Sequence, residues 1–100
     1  MIISWTKSPL PTKRFRVVMD NGKHYDFGAP EANTYLDGAS DAVRSAYRAR
    51  HYANKIEKQL IDNLVPSPSL FAFFLIWGES RDIEKNIKTL NAMWKKKHNK

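Results

Sequence analysis

Hydrophobic residues are interspersed with polar ones in two short runs, residues 14–19 and 23–27, which flank an Asn-Gly pair. Asn21-Gly22 favours a two-residue type I′ turn because both residues tolerate positive φ. The pattern therefore predicts an antiparallel β-hairpin. Its second strand ends at residues 28–30, which have the sequence Gly-Ala-Pro.

The two-residue turn sets a definite register for the hairpin. It places Val18 opposite Tyr25 and Arg16 opposite Phe27 on one face. The other face carries Phe15, Val17 and Met19. Both faces are then partly apolar, so we expect one to be covered by the chain and the other to be contacted as well, because an isolated hairpin is marginally stable in water.

The segment before the hairpin, residues 1–13, is predicted to be an extended arm. Pro9 and Pro11 lack backbone donors and direct the residues before them toward extended conformations. Three apolar residues near the start are able to form a short strand, in this chain or on a neighbour: Ile2, Ile3 and Trp5.

Helical periodicity begins after a turn at Asp37-Gly38 and predicts one long helix over about residues 41–63, with Ser40 or Asp41 as its N-cap. The face expected to pack on the core carries Ala46, Ala49, Ala53, Ile56, Leu60 and Leu64. The opposite face, which we call the basic stripe, carries Arg44, Arg48, His51, Lys55 and Lys58.

Two interpretations of the basic stripe stay open. It is either a solvated surface or a docking face for phosphate groups or for an acidic protein surface. His51 has no second metal-ligating residue three or four positions away, so a surface histidine is favoured over a metal ligand.

An apolar run over residues 70–77 follows a break at residues 65–69. Ser67 as N-cap with Pro68 at the first helical position predicts a short helix, and Gly78 is a natural stop. A segment that is apolar on all sides has to be buried on all sides. It is either the central core helix or a helix with one side against a partner chain. A buried strand is the third alternative, since short runs do not distinguish strand from helix by periodicity.

The last helix is predicted over about residues 81–96, with Ser80 or Asp82 as its N-cap. Its core face carries Ile83, Ile87, Leu90 and Trp94, with Met93 beside them. Residues 95–100 form a basic tail with the sequence Lys95-Lys96-Lys97-His98-Asn99-Lys100. This tail is either an ordinary cationic helix end, which the helix dipole favours, or a nucleic-acid clamp.

Together these elements predict an α+β fold with a single domain over residues 14–94. A small antiparallel hairpin, extended to a sheet if the N-terminal strand joins it, packs against two longer helices and one short apolar helix. One hundred residues suffice for one domain with a modest core. The absence of cysteine excludes disulfides and thiolate zinc sites, and it suits a reducing compartment.

The chain carries 17 Lys and Arg residues against 10 Asp and Glu residues, a net charge of +7. The surplus lies toward the two ends: residues 1–30 carry +3 and residues 70–100 carry +4, whereas residues 31–69 are neutral. A charge distribution of this kind is typical of a protein that binds an acidic partner or is built into an assembly.

Motifs of catalysis and cofactor binding are absent from the sequence. The three histidines are far apart, and no HExxH, GxSxG, P-loop or GxGxxG pattern occurs. We therefore expect no enzymatic activity and no metal, cofactor or small-molecule substrate. The N-terminus lacks the pattern of a signal peptide, and the longest apolar run is too short to span a bilayer.

Several short motifs follow one another in a fixed order across residues 14–90. They are Phe15-Arg16-Val17, Gly22-Lys23, Asp26-Phe27-Gly28-Ala29, Tyr35-Leu36-Asp37, Arg48-Ala49-Arg50-His51, Ile76-Trp77-Gly78, and Ile83 followed by Asn86-Ile87-Lys88. This order resembles a small uncharacterised family of basic proteins from large nucleocytoplasmic double-stranded DNA viruses of eukaryotes. The DFGA and RxRH strings are its most specific parts. The segment Val65-Pro66-Ser67-Pro68 departs from the family pattern, which is more polar there.

The resemblance implies a viral context and no catalytic residues. We expect a minor capsid protein of the virion, assembled in the host cytoplasm or nucleus, that bridges or cements major capsid units and contacts other virion proteins. The residues expected to make these contacts are Trp5, Leu10, Arg14, Arg16, Arg44, Arg48, His51, Lys55, Lys58, Trp94, Lys95, Lys96 and Lys97.

Two other functions stay open. A basic nucleic-acid-binding protein for genome packaging or condensation would use the net charge and a basic-aromatic patch on the hairpin. In this patch three aromatic residues lie among three basic ones: Tyr25, Phe27 and Phe15 among Arg14, Arg16 and Lys23. A host-directed adaptor with an acidic protein target would use the charge alone.

Overall fold

The computed structural model describes residues 1–98, so Asn99 and Lys100, the end of the predicted basic tail, lie outside the described residues. The fold is α+β, as predicted. A three-stranded antiparallel sheet has the order β1-β2-β3. Its strands are β1 (Ile2–Lys7), β2 (Phe15–Met19) and β3 (His24–Phe27).

The helical part follows the sheet in the chain. A 3-10 turn over Tyr35–Asp37 precedes the helices α1 (Asp41–Ala53), α2 (Lys55–Asp62), α3 (Pro68–Phe71) and α4 (Ile83–His98). Between α3 and α4, residues Ala72–Ile76 continue α3 as a π-helix, and we call them the π segment. The ring of Phe71 lies 5.8 Å from that of Phe27 and 6.2 Å from that of Trp94, so it joins the sheet to α4.

The hairpin forms at the predicted place, but its turn differs from the predicted type. A type I′ turn needs positive φ at both central residues, and only Gly22 has it, at +85°. The Met19 N–H instead donates to the Lys23 carbonyl at 2.8 Å, which leaves a three-residue loop. The side chain of Asn21 accepts the Lys23 N–H at 3.0 Å and so stabilises this longer loop.

The extra loop residue shifts the register by one position. Val17 pairs with Tyr25 and Phe15 pairs with Phe27, whereas Arg16 pairs with Asp26. A one-residue shift moves every side chain of a strand to the opposite face. The aromatic residues therefore share one buried face with Val17, and the predicted second apolar face is wrong. The basic-aromatic patch does not form, because Phe15 and Phe27 are buried in the core.

The predicted extended arm is partly inside the folded unit. Residues 2–7 form β1, which pairs with β2 and has an irregularity at Ile3. Trp5 is half-buried, with its ring edge-on to Phe15 at 6.0 Å. The carboxamide of Asn91 on α4 bonds both backbone groups of Ile2, at 2.9 and 3.0 Å. Strand pairing thus ties down the first residues of the chain, as the alternative of a short strand in this chain predicted.

The prediction of a single long helix over residues 41–63 is wrong, because the helix is interrupted at Asn54. This residue has φ −86° and ψ 116°, outside the helical region. Its side-chain oxygen accepts the N–H groups of Ile56 and Glu57, at 3.0 and 3.1 Å. Asn54 is therefore the N-cap of a second helix, for which asparagine is among the preferred residues. The predicted N-cap of the first helix, Ser40, is confirmed by its bond to the Val43 N–H.

The predicted core face of this region is also wrong along α1. Ala46, Ala49 and Ala53 are exposed. In α2, Ile56 is 73% exposed. The side of α1 that faces the core carries Arg44, Arg48 and His51 of the basic stripe together with Tyr47, whose ring stacks on Trp77 at 4.4 Å. Burial of three alanine methyl groups would stabilise the fold only slightly, at about 0.8 kcal/mol per carbon. Burial of an aromatic ring stabilises it more.

The apolar run is the centre of the core, which confirms the first of its three interpretations. Leu70, Phe71 and Leu75 have no exposed surface. Ser67 caps α3 by accepting the Leu70 N–H at 3.2 Å, and Pro68 is its first residue, both as predicted. The π segment was not predicted, since a single inserted residue leaves no mark on the periodicity of so short a run.

The last helix begins two residues later than predicted and buries the expected face. Asp82 accepts the Glu84 N–H at 2.9 Å, which confirms one of the two predicted caps. Leu90 and Trp94 are buried on this face, as predicted. Asn86 is buried beside them and was not predicted. Its side chain donates to the carbonyls of Leu75 and Ser80 and accepts the Ser80 N–H, which satisfies every bond it needs.

Candidate partner interface

Two arginines of the basic stripe bind the end of the π segment. Arg48 donates through Nη1 to the carbonyl oxygens of Phe73 and Trp77, at 2.9 and 2.8 Å. Its guanidinium also lies over the Phe73 ring, 3.7 Å from the centroid. Arg44 donates through Nε to the Gly78 carbonyl at 2.7 Å. The guanidinium N–H groups of both arginines therefore point toward the backbone of the same chain and not toward a partner.

The physical reason is the open end of the helix. The last carbonyls of a helix have no partner within it, and they form the negative end of its dipole. Arg48 satisfies two of these carbonyls at a place where water is largely excluded. Burial lowers the pKa of its guanidinium from the ordinary value, and the neighbouring Arg44 lowers it further. These two members of the basic stripe stabilise the fold and do not form a free docking face.

His51 is largely buried, contrary to the predicted surface histidine. Its side chain is 15% exposed, and its ring lies 4.3 Å from that of Tyr47. The buried Nδ1 atom lies 3.2 Å from a carboxylate oxygen of Glu57, but it makes no well-directed hydrogen bond. The other oxygen of Glu57 accepts the Ser69 hydroxyl at 3.1 Å. His51, Glu57 and Ser69 thus connect α1, α2 and α3. A single uninterrupted helix, as predicted, does not provide for this connection.

The two arginines of the hairpin region are paired with carboxylates of the chain. Arg14 donates to both oxygens of Asp37, at 2.5 and 2.6 Å. This pairing holds the pKa of Asp37 well below its usual range. Arg16 donates to both oxygens of Asp26, at 3.0 and 3.1 Å, and lowers the pKa of that carboxyl as well. Two-point pairs of this kind fix a geometry and leave little of either charge for a partner.

The two tryptophans predicted to contact a partner belong wholly or partly to the core. Trp94 is 5% exposed, and its indole N–H donates to the Leu64 carbonyl at 2.8 Å. Trp5 packs on Phe15 and keeps one side at the surface. Leu10, which is 44% exposed, is the one apolar residue among the predicted contacts that lies mainly at the surface.

The remaining predicted contacts are lysines at the surface. Lys55 is exposed, and Lys58 pairs with Asp62 one helical turn away. Lys95 and Lys96 are exposed on the last turns of α4, whereas Lys97 donates to the Asn63 carbonyl. The structure therefore does not bring the predicted contact residues together into one surface.

A different basic surface lies on the outer side of α4. Its members, which we call the lysine face, are Lys85, Lys88, Lys95 and Lys96. All four are exposed, and none forms an ion pair within residues 1–98. At about 100° per residue they project from the side opposite Leu90, and the one acidic residue of α4 is Glu84. The helical spacing of these four lysines is visible in the sequence, but the predicted contact residues include only Lys95 and Lys96.

Over residues 1–98, no group of three or more His, Cys, Asp or Glu side chains is placed to hold a metal ion. Among the helices of this part of the chain, none is both long and apolar enough to cross a membrane.

Comparison with known proteins adds one match. Residues 3–51 resemble a family of unknown function, DUF5754. No curated protein and no solved structure matches the chain. The similarity begins in β1 and ends in α1 at His51. It thus includes the members of the basic stripe that lie on α1, and it stops before the π segment that Arg48 binds and before the lysine face.

Proposed function

We propose that this chain is a minor capsid protein of a large DNA virus, a structural component that bridges other virion proteins. The observation that carries the proposal is the lysine face. Within residues 1–98 its four lysines form no ion pair, while the arginines are largely engaged in contacts within the chain. The viral context comes from the resemblance of the ordered motifs described above.

The geometry of α4 suits an acidic protein surface. The lysine face runs from Lys85 to Lys96, so at about 1.5 Å per residue it presents its charges over about 17 Å of α4. Exposed charges of one sign guide docking and set its orientation, and they select against partners of like charge. A surface of this kind fits a protein that is held between larger subunits.

Virions provide the direct test of this proposal. Purified particles, washed in high salt and treated with nuclease and protease, are digested and analysed by quantitative mass spectrometry. We expect the chain to remain, in a fixed ratio to the major capsid protein. A non-structural protein of the same virus serves as the control for contamination. Loss of the chain to the level of that control would contradict the capsid assignment.

Nucleic-acid binding is the second candidate, and the same lysine face supports it. Its mode would be contact with phosphates, because Phe15 and Phe27 are buried and the ring of Tyr25 packs against Phe71, which leaves no stacking platform on the hairpin. Binding would then be insensitive to sequence and would weaken steeply with salt.

A matched pair of double variants tests the lysine face for both functions. We expect Lys85→Glu/Lys95→Glu to weaken binding to an isolated acidic capsid protein or to duplex DNA by about tenfold or more at low salt. The variant Lys23→Glu/Lys55→Glu carries the same net charge at exposed sites elsewhere, and we expect it to bind within about twofold of the unchanged chain. The measurement is a titration over a salt series.

The two ligands separate the two functions. Tight binding to DNA, with a salt slope that falls by about 2 in the first variant, favours genome packaging. Binding to the capsid protein without binding to DNA at physiological salt favours the structural role. Equal effects of the two double variants would show that net charge, and not the lysine face, controls binding.

A further inference from the structure

We propose that the free edge of β1 accepts an extended acidic segment of a partner protein as a fourth strand of the sheet. The proposal does not depend on the capsid assignment, since the edge belongs to the sheet in any setting. Strand β1 is at the end of the sheet, and its outer side has no strand neighbour among the described residues.

The hydrogen-bond pattern shows which groups face outward. The Ser8 N–H donates to the Arg14 carbonyl at 3.0 Å, so Ser8 points its backbone groups toward β2. In an antiparallel pair the backbone direction alternates from one residue to the next. Thr6 therefore also points toward β2, in register with Arg16. Trp5 and Lys7 point their N–H and C=O groups away from the sheet.

At Ile2 a side chain already makes the two hydrogen bonds that a neighbouring strand would make. The Asn91 carboxamide accepts the Ile2 N–H and donates to the Ile2 carbonyl. Within residues 1–98 nothing bonds the outward groups of Trp5 in this way, and the Lys7 carbonyl accepts only the hydroxyl of the neighbouring Thr6. Pro9 has no N–H and ends the edge. The open stretch is thus short and centred on Trp5 and Lys7.

A shallow groove accompanies this edge on the side of α4. It encloses about 200 Å³ between β1 and the first half of α4, and Ile3, Trp5 and Ile87 line it. Ile3 is 65% exposed, although most side chains of its size are covered. An added strand presents every second side chain to one face, so one or two apolar residues of the partner would enter this groove.

Charge decides which occupant fits. Lys88 lines the groove and Lys7 lies on the strand itself, against the single carboxylate of Glu84. A second copy of the chain would bring the same lysines and a net charge of +7 to this edge, which opposes pairing. An extended segment with acidic residues beside its apolar ones meets both the open backbone groups and the local charge.

The test uses a peptide of about six residues that alternates valine with glutamate, and a second peptide with lysine in place of glutamate. We expect the acidic peptide to bind and to slow hydrogen exchange at the Trp5 and Lys7 amides, which are unprotected in the free chain. The Thr6 amide, already bonded to β2, should change little.

Two substitutions at Lys7 separate the backbone from the charge. Lys7→Pro removes an outward N–H without removing a bond to β2, and we expect it to weaken the acidic peptide about tenfold. Lys7→Thr keeps the N–H and removes the charge, and we expect a loss of about twofold. Unfolding curves confirm that both variants are folded.

Four results of the peptide experiments would overturn the proposal. They are absence of binding of either peptide, equal binding of the acidic and basic peptides, equal losses in the two Lys7 variants, and slowed exchange outside the edge only. Self-association of the chain that Lys7→Pro abolishes would assign the edge to a second copy and would also overturn it. A chain absent from virions would leave the peptide result unchanged, so the two proposals fail separately.

Discussion

Replacing Gly78 by alanine is expected to lower the free energy of unfolding by about 4 kcal/mol, among the largest effects of any single methyl group in this chain. A β-carbon at Gly78 would lie 2.1 Å from the Phe74 carbonyl oxygen and 2.8 Å from Cγ of Asn86. Neither neighbour can withdraw. The carbonyl belongs to the π segment, and Asn86 is held by bonds to Leu75 and Ser80.

A glycine elsewhere provides the control. At Gly22 a β-carbon would have no atom within 4 Å, and the φ of this residue is +85°. Gly22→Ala therefore costs only an unfavourable backbone conformation, about 1–2 kcal/mol. Denaturant unfolding of both variants measures the difference. If the Gly78→Ala and Gly22→Ala variants had the same free energy of unfolding, the π segment would have to move aside easily. That result would contradict rigid packing around Gly78.

Removal of the Arg48 side chain is the second large effect. We expect Arg48→Ala to lower the free energy of unfolding by about 3 kcal/mol, because two partly buried carbonyls lose a charged donor and the Phe73 ring loses its cation. Arg48→Lys keeps the charge but not the planar guanidinium that stacks over the Phe73 ring, and we expect it to recover less than half of the loss. Chemical denaturation monitored by the fluorescence of the three tryptophans measures the stability of both variants.

The exposed neighbour Arg50 is the matched control. It lies two residues away on the same helix and faces solvent, so Arg50→Ala should change stability by less than about 0.5 kcal/mol. If Arg48→Ala were as mild as Arg50→Ala and instead weakened partner binding, Arg48 would belong to a docking face, the second interpretation of the basic stripe. The experiment therefore decides between a role of Arg48 in the fold and a role in docking.

These two predictions concern the same place in the fold. Arg48 and Gly78 both lie at the C-terminal end of the π segment. Backbone carbonyls at this end lack partners within the helix, and side chains of α1 and α4 pack against it. Substitutions there are expected to disturb stability, whereas substitutions on the lysine face and at Lys7 are expected to disturb binding alone. This division separates structural residues from candidate contacts in a chain with 17 basic residues.

The local features of the fold could be predicted because short-range chemistry determines them. Ser40, Ser67 and Asp82 cap helices through side-chain oxygens next to them in the sequence, and Pro68 fits only the first turn. The buried run at residues 70–77 and the apolar face of α4 follow from burial of large apolar side chains. The α+β class follows from these elements together.

The candidate site was harder, since charge on a helix face has two meanings that the sequence does not distinguish. Arg48 and Lys88 both occupy helical positions among polar residues, yet Arg48 binds carbonyls of the π segment and Lys88 faces solvent. The difference depends on which element packs against each helix. A partner 25 residues away in the chain decides it for Arg48.

By itself the sequence determined the caps at Ser40, Ser67 and Asp82, the break at residues 65–69, the hydrophobic centre and the surplus of positive charge, because each rests on residue chemistry over a few positions. Only the tertiary structure decided the one-residue shift of the hairpin, the face that α1 buries and the cations left free. The loop length at Asn21 sets that shift, and it acts on every pair of the two strands. Long-range packing, which joins Arg48 to Trp77 and Asn91 to Ile2, selects one arrangement among several that are locally acceptable.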